Sequence, residues 1–141
     1  MNQMKFHCIA LDGIDKAGKS TLVKYLAQLS NFTLTILDRG PITNIVWNKI
    51  QKRDITYDLD MWKNTVFIRL TVNKDDWKIR CKIHNEMPMP LTFEDMNRAY
   101  DEEFLNFKNR GFYTLEFNTS EITQYNIAKE IIDYLNKLNS K

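Results

Sequence analysis

The sequence predicts an α/β protein, a three-layer sandwich around a mainly parallel sheet of about four strands. Three observations point there. Four β-rich apolar runs recur along the chain, amphipathic helical patterns fill the intervals, and the few glycines fall where apolar runs begin or end. Strands alternating with helices imply βαβ units, hence parallel pairing through right-handed crossovers. At 141 residues, 43% hydrophobic and 27% charged, the chain suits a single globular domain spanning 1–141.

The first strand is read at Phe6 to Leu11, and a helix after Gly18 places Leu22, Tyr25, Leu26 and Leu29 on one stripe. The second strand is read at Thr33 to Leu37. The segment from Thr43 to Asn64 carries Trp47, Ile50 and Trp62 among several charges, and reads as one helix or two short ones. A third strand runs from Thr65 to Val72. Thr92 is the expected cap of a helix with Glu94 and Asp95 in its first turn and Phe93, Met96, Tyr100, Phe104 and Phe107 on one face. Phe112 to Phe117 makes the fourth strand, and a final helix after Ser120 aligns Ile127, Ile131, Leu135 and Leu138. Val, Ile, Phe and Thr dominate the strands, as expected of a sheet covered on both faces.

Chemistry concentrates between the first strand and the first helix. Gly13 to Ser20 satisfies GxxxxGK[ST], followed by Thr21, with a strand before it and an amphipathic helix after it, which is the context the motif needs. Glycine lets the backbone of Gly13, Ile14, Asp15, Lys16, Ala17 and Gly18 wrap phosphate with its N–H groups inward, and the helix adds its positive end. Lys19 is placed to bridge the β- and γ-phosphates of ATP, and Ser20 to offer a hydroxyl to Mg²⁺. The sandwich is therefore expected to be of the P-loop NTPase type. Asp38 ends the second strand at the sheet edge where ligands bind, making it the second candidate for Mg²⁺, and Arg39 is a candidate phosphoryl clamp. The plain alternative is that both residues only begin a turn with Gly40 and Pro41.

The stretch Gly13-Ile14-Asp15-Lys16-Ala17-Gly18-Lys19-Ser20-Thr21 resembles the phosphate loop of the thymidylate kinases among the nucleoside monophosphate kinases. That resemblance implies that Asp15 faces the deoxyribose of the acceptor. It implies also that Lys16, where many members carry Arg, reaches the transferring phosphate. Asp38-Arg39 is similar to the family's Asp-Arg dipeptide, which serves Mg²⁺ and acceptor phosphate. Val66 to Val72 followed by Asp75 to Lys82 resembles the strand and basic lid segment, and Leu91 to Phe107 the aromatic helix seen in short viral relatives. The chain is shorter than typical members. The family's second strand, with its Arg-Glu-Pro-like segment, is absent unless Asp38-Arg39-Gly40-Pro41 is that segment; the Leu-Asp-Arg order favours the dipeptide.

A lid-like segment is expected at about 73–90. Lys74, Lys78 and Lys82 share one helical stripe, Arg80 and His84 another. Arg80 is the preferred cation for the transferring phosphoryl group, against the alternative of a solvated basic face. His84 as a base is not expected, because a phosphate acceptor is already largely ionised. Met87 to Pro90 reads as a loop. Among Trp47, Tyr57, Trp62 and Tyr100, Trp47 is the candidate surface for an acceptor base, although aromatics at helical spacing more often belong to the core.

Lys plus Arg number 20 against 18 for Asp plus Glu, a net charge of +2, which argues against nucleic acid or anionic membrane as main partner. Cys8 and Cys81 form no ligand or disulfide pattern, and no signal peptide or membrane span is evident, so a cytoplasmic protein is expected. The expected partners are ATP and a nucleotide acceptor, with a homodimer as one way to complete an abbreviated pocket. The favoured function is phosphoryl transfer from ATP to a deoxynucleoside monophosphate, dTMP first. Two alternatives stay open: a kinase for a nucleoside or polynucleotide 5′-hydroxyl, and a non-catalytic nucleotide-binding module.

Overall fold

The apolar run at the start of the chain becomes β1 (Cys8–Gly13), buried from Ile9 onward, as a strand covered on both faces must be. The computed structural model describes residues 5–14, 17–83 and 92–141. After β1 come α1 (Lys19–Leu29), β2 (Thr35–Asp38) and α2 (Pro41–Ile50). β3 (Thr65–Thr71), α3 (Lys74–Ile83), α4 (Phe93–Asn109), β4 (Tyr113–Asn118) and α5 (Gln124–Asn139) complete the order. The four strands lie in the order β2-β1-β3-β4 and every pairing is parallel.

The register decides which side chains share a face. Ala10 pairs with Phe67 and Asp12 with Arg69, while Leu11 pairs with both Asp38 and Ile68. Phe67 meets Phe107 of α4 edge to face, at 4.9 Å between ring centroids, so Ala10, Asp12, Phe67 and Arg69 look toward the layer formed by α2 and α4. α1 and α5 pack on each other. Right-handed crossovers place them on the opposite face, which makes the three layers. Arg69, buried in β3, is held by Asp101 and by the carbonyl of Asn97.

Local chemistry explains most boundaries. Pro41 opens α2 at a position that needs no amide. Thr92 and Thr123 cap α4 and α5 by accepting from the amides of Asp95 and Asn126. The expected apolar face of α4 is buried throughout, whereas Leu29 of α1 and Leu138 of α5 are not fully covered. Between Thr43 and Asn64 the helix ends at Ile50, an irregular stretch follows, and a single 3₁₀ turn spans Asp60–Trp62. Near the two ends of the described chain, the Phe6 amide donates to Asn139 Oδ1 (2.8 Å) and Asn139 Nδ2 donates to the Phe6 carbonyl (2.9 Å). Cys8 and Cys81 form no disulfide among the described residues. Among the described residues, no helix is long and apolar enough to cross a membrane.

Candidate nucleotide-binding site

The motif loop stands at the C-terminal edge of the parallel sheet, where β1 gives way to α1. Gly13 has φ +159° and lies so close to β3 that a Cβ would sit 2.3 Å from the Leu70 carbonyl oxygen. Ile14 and Ala17 are buried, and the Ala17 amide donates to the Ile14 carbonyl at 3.2 Å, turning the chain toward the helix. Gly18 takes φ +99°, a left-handed conformation that favours glycine. A Cβ there would meet Gln124 Nε2 at 2.7 Å and Thr119 Cγ2 at 3.4 Å, so the loop after β4 flanks the motif. Asp15 and Lys16 lie outside the described residues, as do His84, Met87 to Pro90 and Leu91.

Lys19 bends back over the loop, its ammonium donating to the Gly13 carbonyl at 2.9 Å. α1 begins after Gly18 with no side-chain cap among the described residues and no acidic residue in its first turn. The contrast with α4 and α5 is direct: those two helix starts receive a side-chain oxygen. An α-helix presents N–H groups without intrahelical partners at its start, and together with the dipole they favour an anion there. Ser20 and Thr21, in the first turn, are exposed.

β2 brings the second group of candidates alongside. Asp38 pairs in register with Leu11, next to the loop, and is exposed at the strand's end. The Arg39 amide donates to the Leu11 carbonyl at 3.1 Å, and Arg39 itself takes φ +93°. A non-glycine residue there is strained, at a cost of order 1–3 kcal/mol, and such strain clusters at functional positions. β2 thus lies directly against β1, which sets Asp38 and Arg39 beside the loop.

From the other side, Arg80 of α3 donates to Thr119 Oγ1 at 3.1 Å. Thr119 also borders Gly18, so Arg80 approaches the motif across the loop that follows β4. Lys74 pairs with Glu94 at the start of α4. Lys19, Ser20, Thr21, Asp38, Arg39 and Arg80 therefore converge on one edge of the sheet. Trp47 is half-buried against the core, about two turns along α2 from that edge. The other aromatic candidates are engaged in packing: Tyr100 is buried, Trp62 leans on Phe67, and Tyr57 bonds with Asn48.

Sequence reasoning assigned no role to Asp12, Thr43, Thr119 or Gln124. Asp12 is fully buried, and its Oδ1 accepts from the amides of Gly40 (2.8 Å) and Thr43 (3.0 Å) and from the Thr43 hydroxyl (2.5 Å). Burial pushes its carboxyl above the ordinary Asp value, against the pull of the Thr43 and Gly40 hydrogen bonds and the Lys19 charge. One signal was available in the sequence: an acidic residue closing an otherwise apolar run, one position before the loop.

The architecture is a four-stranded, all-parallel sheet between helical layers. Among solved structures, the YorR protein of Bacillus subtilis, crystallised in complex with phosphorylated GDP, shares it with a TM-score of 0.73. The two are 18% identical over 95% of this chain and 98% of YorR. No family model matches the chain, and no curated protein matches it.

Proposed function

We propose that this chain binds ATP with Mg²⁺ and transfers the γ-phosphoryl group to a deoxynucleoside monophosphate, with dTMP the favoured acceptor. The observation that carries the proposal is the uncapped start of α1, with Lys19 folded over its loop, set beside the strained Asp38-Arg39 corner of β2. YorR, which shares this fold, was crystallised with phosphorylated GDP, and that supports a nucleotide as the class of ligand.

In this reading the loop amides and the α1 terminus hold the β- and γ-phosphates, and Lys19 spans them. Lys16, Arg39 and Arg80 supply positive charge around the transferring group. Asp15 orients the acceptor sugar, Arg39 its phosphate, and Trp47 offers an apolar face to its base. The donor set fits Mg²⁺. Ser20 and Asp38 provide one hydroxyl and one carboxylate, and no group of three or more His, Cys, Asp or Glu gathers among the described residues. Mg²⁺ binds through a few protein oxygens, phosphates and water, in preference to an all-protein cage. When bound there it would neutralise charge on the β- and γ-oxygens. Residues 1–141 act as one kinase domain in this proposal, with a cytoplasmic setting, a lid at about 73–90, of which 84–90 lie outside the described residues, and a homodimer as one way to complete the pocket.

The test is ADP release from ATP-Mg²⁺ with four deoxynucleoside monophosphates, their nucleosides and a 5′-hydroxyl oligonucleotide, with Lys19→Ala as blank. Turnover with a monophosphate, abolished in the blank, supports the proposal. Turnover only with hydroxyl acceptors would replace it with a nucleoside or polynucleotide kinase. ATP binding without acceptor-dependent ADP would leave a nucleotide-binding module.

A further inference from the structure

Asp12 and Gly13 are consecutive, so the first residue of the phosphate loop and a buried carboxylate move together. Burying a carboxylate is costly unless its partners compensate, and among the described residues the hydrogen bonds it accepts, all at Oδ1, come from the segment just after Arg39, with Oδ2 left without one. The Thr43 hydroxyl also receives the Tyr100 hydroxyl of α4 at 3.4 Å. Gly40 is pressed against the same carboxylate: a Cβ there would lie 2.6 Å from the Ala10 Cβ and 2.8 Å from Asp12 Oδ2. Arg39 is thus fixed on both sides, its own amide on Leu11 and the next residue on Asp12. Such over-determination lets a residue persist at φ +93°. The carboxylate also fills the N-terminus of α2, while among the described residues no side chain caps the neighbouring start of α1.

We propose that Asp12 is a positioning residue that couples the phosphate loop to the Arg39 turn, so that nucleotide on the loop sets where Arg39 stands. The inference rests on the nucleotide-binding part of the proposed function and requires no particular acceptor.

Hydrogen exchange at the amides of Gly40 and Thr43 to Val46, with and without ATP-Mg²⁺, reads the coupling directly. In the wild-type chain ATP is expected to slow exchange there about tenfold. Asp12→Ala should remove that ATP-dependent slowing while ATP affinity stays within about threefold, and Asp12→Asn, which keeps an accepting oxygen, should restore it. Thr43→Val preserves volume and drops only the hydroxyl. It should weaken the response at Thr43 to Val46, and it serves if Asp12→Ala does not fold. A purely structural role would change exchange equally with and without ATP. A wild-type chain that binds ATP with no change at these amides overturns the coupling, as does a full ATP response in Asp12→Ala or Thr43→Val. Absence of ATP binding overturns the nucleotide reading and the coupling with it.

Discussion

Gly13→Ala should destabilise the fold by about 3 kcal/mol, and the size follows from what the new methyl meets. Its Cβ would stand 2.3 Å from the Leu70 carbonyl oxygen, about 1 Å inside an ordinary carbon–oxygen contact. The obstacle is backbone, and it belongs to β3, a strand paired on both sides, so no side-chain rotation relieves it. Overpacking of this kind costs about 1–3 kcal/mol, and the unfavourable φ adds roughly 1 kcal/mol. Gly111→Ala is the control. Gly111 has φ +88° with nothing within 4 Å of its Cβ position, so only the conformational cost applies, about 1 kcal/mol. In urea unfolding followed by tryptophan fluorescence, an m-value near 2 kcal/mol/M converts these costs to midpoint losses of about 1.5 M and about 0.5 M. Equal shifts in the two variants would refute the argument that contact with β3 sets the requirement for glycine at the head of the loop.

Asp12 makes stability depend on pH in an unusual direction. Its folded value is raised above 3.8, so its stabilising contribution is complete below that value and is lost as pH rises through the folded one. The wild-type urea midpoint should therefore fall relative to that of Asp12→Asn as pH increases from about 3.5; a difference independent of pH would contradict it. Arg69→Met should lie within about 1 kcal/mol of wild type and Arg69→Ala should lose about 3 kcal/mol, both read from urea midpoints. Asp101 and Glu116, each 63% exposed, can be rehydrated once the guanidinium is gone, so the volume at position 69 matters more than its charge. Equal losses in the two variants would argue for the charge. Thr123→Ala should cost about 1 kcal/mol through the lost α5 cap, and an unchanged thermal midpoint would show the cap to be idle.

The central strands β1 and β3 were legible because burial on both faces writes a continuous apolar run, and α4 because five aromatic or apolar residues recur at helical spacing behind Thr92. Boundaries were less so. β1 runs on through Asp12 and Gly13, residues of poor strand propensity that pair because β3 lies alongside. Between Thr43 and Asn64, sparse apolar residues among charges gave no period, and the helix there starts earlier, at Pro41, and stops at Ile50. In the site, the loop was readable because its chemistry is contiguous. Asp12 was not, since its partners stand 28 and 31 residues away and only the β1–β2 register brings them together. The approach of Thr119 and Gln124 to Gly18 is likewise a product of tertiary packing, with no local pattern to announce it.

The clasp between Phe6 and Asn139 bears on how the molecule is made. During synthesis the phosphate motif leaves the ribosome before α5, yet the helix behind it buries Leu22 and Leu26 in a layer shared with α5. β1, too, reaches its final form only after β3 has been produced to lie beside it. A nascent chain that already displays the motif therefore lacks the packed frame around it until residues 124–139 have emerged and Asn139 has closed onto Phe6, just ahead of β1.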